Sequence, residues 1–408
     1  MKESSNGKHL RIQGNVLLVV FGTGAMAAPI VGAVRESLQA EMGISRGQLG
    51  LWVFLIGIVG AGAALVLSML LRGMVRTSFV RAGILGMFVG CGLLALGSSN
   101  GAWGLLLLGI GWFAIRLGHP LTGSANGIFA DLWESSPHTG LIILHAVNSA
   151  GKVAAPLAVV LLGSDVRPAS LVFTVMFGAL LLESLLWPKD SLRELCEIER
   201  GRETEPQVRV PRDPLVWICV LQFAFIAGAE GGATSIMGSL VQELRPVPVE
   251  WISAETWPSV VLMLLTLGIF IGRTVFAVLS LRLSERAILV VCLFCGLFCV
   301  PAAFVANPAI YLPSTFLTGV CFSATWPAFF SLAARTYPVK RTFLGIAALF
   351  FSTLGIWSGT FLTSAIGNAQ RYLPHAFVAG TALMIPFVVF LVSASGRGLA
   401  REEPGASA

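Results

Sequence analysis

Charge is what this 408-residue chain has least of: 27 Lys and Arg and 21 Asp and Glu make up only 12% of it, against roughly a quarter in an average soluble protein. A soluble chain of this length needs about 100 charged side chains to coat its surface. An ordinary soluble enzyme is therefore excluded. Disorder is excluded as well, because 55% hydrophobic residues with 26 Phe and 10 Trp are the opposite of a chain that cannot bury apolar surface. A Gly-x-x-x-x-Gly-Lys-Ser/Thr phosphate loop is absent, and no soluble stretch is large enough for a nucleotidase, so ATP-driven work is not expected. The formal charge of +6 is spread as punctuation between apolar segments, which excludes nucleic acid as a partner. Cys292, Cys295 and Cys299 share one apolar run without a His or acidic neighbour. They read as small packing residues rather than metal ligands, and no cofactor is expected.

What the chain does have is long apolar runs. With about 20 residues per crossing, twelve helices are expected, at 12–34, 47–71, 77–98, 101–130, 138–163, 167–187, 214–239, 256–281, 286–306, 308–334, 342–368 and 373–396. The first run follows Lys8 and Arg11 and is long enough to span, so it is read as a helix rather than as a cleavable signal. One long polar stretch, 188–213, separates two sets of six. The expected organisation is a six-helix bundle over 1–187, a cytoplasmic linker over 188–213 and a second bundle over 214–408. Nineteen of the Lys and Arg residues fall at one side of these spans, against five (Arg35, Arg46, Arg167, Arg245 and Arg371) at the other. The positive-inside rule then places both termini and the linker in the cytoplasm.

A displacement of 204 residues lays Phe21, Gly24 and Ala25 of the first span on Phe225, Gly228 and Ala229 of the seventh, and Gly151 of the fifth on Gly355 of the eleventh. Pro120 and Pro327 fall close to register in spans four and ten. A near-constant offset points to two parallel repeats related by an axis along the membrane normal.

Twelve spans divided six and six, a basic linker and a parallel repeat resemble the major facilitator superfamily over essentially the whole chain. The loop Leu71-Arg72-Gly73-Met74-Val75-Arg76 is similar to that superfamily's basic loop between spans two and three but lacks its acid; Gly272-Arg273, followed by Arg282, Glu285 and Arg286, is its counterpart in the second half. The resemblance implies an all-α fold of two pseudo-symmetric six-helix bundles and gating roles for Arg72, Arg76, Asp131, Arg273, Arg282 and Arg286. Within the superfamily, Gly123 to Leu132, Leu144-His145, Gly151 with Pro156, and Gly228-Ala229-Glu230 are similar to the fucose permease group of sugar–proton symporters. That group carries acids in spans one and four. Here span one has none from Asn15 to Val34 and span four carries Arg116 instead, a departure that points away from a neutral sugar.

Charges at mid-membrane cost about 2.5–3.5 kcal/mol on insertion scales and normally face a partner or a cavity. Arg116, Lys152 and Glu230 are the three that matter. At 100° per residue Arg116, His119, Gly123 and Asn126 share one face of span four, and His145, Asn148, Ser149 and Lys152 share one face of span five. Together with Glu230 and Trp326 these residues (Arg116, His119, Asn126, His145, Asn148 and Lys152) are the expected substrate contacts. Two positive charges against one negative leave a surplus that an organic anion, a sugar acid or another carboxylate, can neutralise. The alternative is that Glu230 pairs with Arg116 or Lys152 and braces the two halves. Glu230 is the first candidate for carrying a coupling proton, with His119 and His145 behind it.

The expected function is secondary transport of a small polar solute by alternating access, with proton symport as the leading mode. Drug or metabolite efflux by antiport and a non-transporting sensor are the alternatives. A multi-pass protein of a bacterial inner membrane, in contact with lipid, a small solute and a proton, and working as a monomer, completes the expectation.

Overall fold

In the computed structural model the described residues are 5–26, 30, 33–70, 76–97, 101–123, 128, 137–163, 166–189, 212, 214–245, 247, 252–279, 282–336 and 341–386. Their long apolar segments form α-helices, because a backbone that cannot bond to water in lipid must satisfy its own N–H and C=O groups. The helices are α1 (Ser5–Ala25), α2 (Arg35–Met42), α3 (Arg46–Leu70), α4 (Arg76–Gly97), α5 (Gly101–Thr122), α6 (Pro137–Leu162), α7 (Val166–Leu185), α8 (Pro214–Leu244), α9 (Trp257–Leu279), α10 (Glu285–Cys292), α11 (Cys295–Phe304), α12 (Pro308–Ser323), α13 (Thr325–Thr336), α14 (Arg341–Ile366) and α15 (Leu373–Ala382). Among the described residues, eight helical segments are long and apolar enough to cross a bilayer, one of them, Arg286–Phe304, running through both α10 and α11. The surface is inverted relative to a soluble protein: Leu51, Leu55, Val59 and Val66 form an exposed apolar stripe along α3, and Leu171, Val175 and Leu182 one along α7. Such stripes at helical spacing face lipid.

Four departures from the expected spans have structural consequences. The first continuous helix stops at Ala25, and the separate helix α2 follows, closed by Gly43 in the left-handed region at φ 62°. Arg35, expected in the loop after the first span, is buried. Helix α8 runs to Leu244, five residues beyond the expected end. Its 31 residues span about 46 Å at 1.5 Å each, longer than a hydrocarbon core of about 30 Å. The expected ninth span is two pieces, α10 and α11, with a turn at Leu293 and Phe294; nothing in the structure explains that break. The tenth is also two pieces, α12 and α13, and here Pro327 accounts for part of it. A proline at that position has no N–H to give to the carbonyl four residues earlier, Ser323.

One buried cluster is built from residues Ile12 to Trp187 with Trp357 added, and two further clusters are built between Val216 and Met384. Cys292 and Cys299 are buried in the latter two among apolar side chains. Helices α8 and α14, α4 and α5, α9 and α12, and α1 and α6 pack against one another extensively, and α3–α14 and α6–α9 join first-half helices to second-half helices. Residues 190–211, most of the expected linker, lie outside the described residues.

The 204-residue offset has a physical counterpart in two helix crossings. A Cβ added to Gly151 of α6 meets the Phe21 carbonyl of α1, and one added to Gly24 meets the Asn148 carbonyl. In the second half, a Cβ on Gly355 of α14 meets the Ala224 carbonyl of α8, and one on Gly359 meets the Gly228 carbonyl. Each crossing brings backbone against backbone, which requires a residue without a side chain. Gly151→Val is expected to destabilise the protein by about 3 kcal/mol or more, the range of severe packing defects; a melting scan in detergent measures it.

Candidate functional site

Glu230 lies near the middle of α8 and forms an ion pair with Lys152 of α6. Its second oxygen is 3.7 Å from Nη2 of Arg273 on α9. Arg273 is itself held from three directions. Its Nε donates to the Ser323 carbonyl at 2.9 Å, and its Nη1 donates to the Ser149 hydroxyl at 2.6 Å and to the His145 carbonyl at 3.2 Å. The Ser323 carbonyl is the one that Pro327 leaves without a helical donor, so the broken tenth span supplies an acceptor for the guanidinium. Pro156 likewise has no N–H for the Lys152 carbonyl, and Pro120 none for the Arg116 carbonyl. Each basic residue of spans four and five thus sits one turn before a proline-weakened point in its helix.

The side chains of Lys152, Glu230 and Arg273 are 10%, 18% and 8% exposed. Burial of charge on this scale is tolerated only when Coulombic attraction and further hydrogen bonds offset desolvation. Glu230 attracts both cations, and the bonds of Arg273 to Ser149, His145 and Ser323 satisfy much of its fork. One carboxylate between two cations still leaves a net positive charge. The cluster joins α6 to α8 and α9, so it also bridges the helices before and after residues 190–211.

Arg116 occupies a different environment from the one expected. It is 3% exposed and pairs with no carboxylate among the described residues. Its guanidinium carbon lies 4.7 Å from the Trp112 ring centre and 3.7 Å from that of Trp357 on α14. Nη1 donates to the Met26 carbonyl at 3.2 Å, while Nη2 is buried without a hydrogen-bond partner among the described residues. Two desolvated cation–π contacts at about 2 kcal/mol each are of the same size as the about 2.5–3.5 kcal/mol cost of placing an Arg there. The rings therefore make the buried charge tolerable without neutralising it.

The remaining expected site residues divide between the cluster and simple packing. The His145 ring lies 5.3 Å from that of Trp326, which stacks on Phe330 at 5.4 Å and donates its Nε1–H to the Ser352 hydroxyl at 2.7 Å. His145 and Trp326 thus border the cluster through His145's carbonyl bond to Arg273. Asn148 instead donates to the Val20 carbonyl at 3.2 Å and ties α6 to α1. His119 is half-buried in the last turn of α5, within electrostatic reach of both Arg116 and Lys152. Asn126, Asp131 and Arg72 lie outside the described residues, and Arg76 begins α4. Of the expected gate residues, Arg282 and Arg286 are exposed around the start of α10, whereas Arg273 belongs to the mid-span cluster.

A second set of contacts between the halves was not foreseen. Arg46, at the start of α3, bonds Glu243 near the end of α8 at 2.9 Å and the Gly367 carbonyl at 3.0 Å, and lies 3.6 Å from Glu36. The Ser239 hydroxyl donates to Glu36 at 2.6 Å, Arg35 donates to the Ser364 hydroxyl at 2.8 Å, and the Gly47 amide donates to Asn368 at 2.9 Å. The available signal in the sequence was Arg35 and Arg46 on either side of Glu36, between the first two expected spans. At the opposite end Arg11 pairs with Glu183, joining α1 to α7 within the first half.

Comparison with known proteins agrees with this architecture. Among curated proteins none is similar enough in sequence to match. Solved structures are similar in fold: the E. coli fucose:proton symporter FucP at 18% identity and a TM-score of 0.59, covering 95% of this chain and 98% of FucP; the nucleoside transporter NupG at 12% and 0.66, covering 93% and 99%; and the peptide transporter POT in complex with sulfate at 14% and 0.70, covering 96% and 95%. A family model described as Major Facilitator Superfamily matches residues 16–360. This multi-pass membrane protein belongs to the Major Facilitator Superfamily of transporters.

Proposed function

We propose that the protein moves a small organic anion across the membrane by alternating access, in symport with a proton. The observation that carries this reading is Glu230, held between Lys152 and Arg273 in the middle of the fold. While Glu230 is ionised it occupies both cations and competes with any anionic solute. A proton on Glu230 releases Lys152 and Arg273, and the carboxylate of the solute takes its place. The solute and the proton are then bound in the same conformational cycle because the proton removes the negative charge of Glu230 and the carboxylate of the solute replaces it. FucP, a neighbour in fold, is a fucose:proton symporter, which supports the proton as coupling ion. In this reading two bundles, 1–187 and 214–408, rock about the midplane site in a bacterial inner membrane, with a cytoplasmic linker over 188–213, both termini in the cytoplasm, and a monomer as the working unit.

Proteoliposome flux tests the reading. With the lumen made alkaline, uptake of labelled carboxylates is expected to exceed their equilibrium level, and neutral sugars of similar size are expected to stay out. Transport of a neutral sugar with no movement of any anion overturns it.

A further inference from the structure

An arginine carries five N–H groups, and three of those on Arg273 are committed. Nε donates to the Ser323 carbonyl, and Nη1 donates to the Ser149 hydroxyl and the His145 carbonyl. That leaves the pair on Nη2, whose carboxylate neighbour among the described residues is Glu230 at 3.7 Å. A planar guanidinium fixed along one edge presents its remaining donors in a single direction. That direction is the place of the Glu230 carboxylate, where the carboxylate of a solute is to be received.

The three anchors come from different sides of the molecule. Ser149 and His145 belong to α6, which precedes residues 190–211, whereas Ser323 follows them, as Arg273 and Glu230 do. Separation of α6 from α9 breaks the two α6 anchors and keeps the Ser323 carbonyl. With Glu230 protonated, that carbonyl is what still aims the guanidinium.

The Ser323 carbonyl is free for this purpose because of Pro327. Ala324, which caps α12, has helical dihedral angles, and the Ala328 amide donates to the Ala324 carbonyl at 3.0 Å. Helical register thus continues across the joint between α12 and α13. In that register an N–H at position 327 is directed at the Ser323 carbonyl, and proline has none.

We propose that Pro327 is a positioning residue for solute binding: by withholding an N–H from the Ser323 carbonyl, it keeps Arg273 aimed at the solute carboxylate throughout the cycle. This rests on the anion-symport reading above and adds to it the device that holds Arg273 once Glu230 is neutral.

The test measures uptake of the carboxylate best transported by the wild type, in proteoliposomes across an imposed pH gradient. Pro327→Ala supplies the missing N–H, which competes with Arg273. It is expected to raise the half-saturating concentration about fivefold, the worth of one hydrogen bond, with the maximal rate within about twofold. Replacing Pro327 by lactic acid, the α-hydroxy counterpart of alanine introduced by nonsense suppression, puts an ester oxygen where that N–H would be and is expected to restore the wild-type value. A proline needed only for its ring predicts equal impairment by both replacements. In an Arg273→Lys background, which has no Nε–H, Pro327→Ala is expected to add less than about twofold. An unchanged half-saturating concentration in Pro327→Ala, equal impairment by alanine and lactic acid, or a full fivefold effect in the Arg273→Lys background overturns the proposal. If Pro327→Ala does not fold, the lactic acid variant decides alone, and a raised half-saturating concentration in it overturns the proposal. Absence of wild-type transport for every carboxylate removes the anion reading beneath it, and the proposal with it.

Discussion

Glu230→Gln should abolish accumulation of solute against its gradient while sparing exchange of solute across the membrane. Each unit of pH gradient is worth about 1.4 kcal/mol, so a one-to-one symporter driven by one unit reaches about a tenfold solute ratio. The variant is expected to stop at a ratio of about one. Gln occupies the same volume but takes up no proton, so the exchange of carboxylate for solute anion at Lys152 and Arg273 loses its link to the gradient. Exchange persists because the two cations remain available to the solute. Removing one partner of a buried ion pair costs about 3–5 kcal/mol, and the solute anion restores much of that charge balance. The variant should therefore melt earlier than the wild type without solute and gain more stability from its addition. Full accumulation by Glu230→Gln removes Glu230 from proton coupling.

Arg46→Ala should shift the conformational equilibrium of the whole protein. Arg46 is 7% exposed and joins the start of α3 to Glu243 of α8 and to the Gly367 carbonyl beyond α14. Its loss removes two charge-assisted contacts, each worth about 1.5–3 kcal/mol, and leaves Glu36 and Glu243 facing each other without their shared cation. A loss of about 3 kcal/mol, at 1.4 kcal/mol per factor of ten, lowers the population closed at this end about a hundredfold relative to its open counterpart. Spin labels at A40C and A254C, in a cysteine-replaced background, report the separation of the halves there. The distance distribution should move to longer values in Arg46→Ala and partly return in Arg46→Lys. An unchanged distribution means that this contact set is a by-product of packing.

Parts of the site were legible before folding. Glu230 and Lys152 stood out because isolated charges in apolar spans require partners, and pairing between them was one of the open alternatives. The glycines at a 204-residue offset pointed to two parallel repeats; that they sit where α1 meets α6 and α8 meets α14 emerged only in the fold, where a residue without a side chain admits a carbonyl at contact distance. Arg273 was read as a gate residue because it follows Gly272 near a basic loop. Its place in the cluster depends on Ser149 and Ser323, which come from two other helices. Arg116 was grouped with Lys152 because both crown polar stripes on consecutive helices. Trp112, one turn earlier on its own helix, was visible in that stripe's neighbourhood, but Trp357 lies 241 positions away and no local pattern points to it.

The sequence by itself determined that this is an all-helical, multi-pass membrane protein with two related halves and a small set of mid-span charges. Those properties follow from composition and from spacing along single helices: apolar runs of spanning length, charge confined to loops, and repeated small residues. Only the tertiary structure decided which charges meet. It placed Glu230 between Lys152 and Arg273, set Arg116 apart between two Trp rings, and pinned Arg46 to the far end of α8. The physical reason is that helical periodicity defines the face on which a side chain lies, whereas its partner is chosen by how separate helices pack and break at proline.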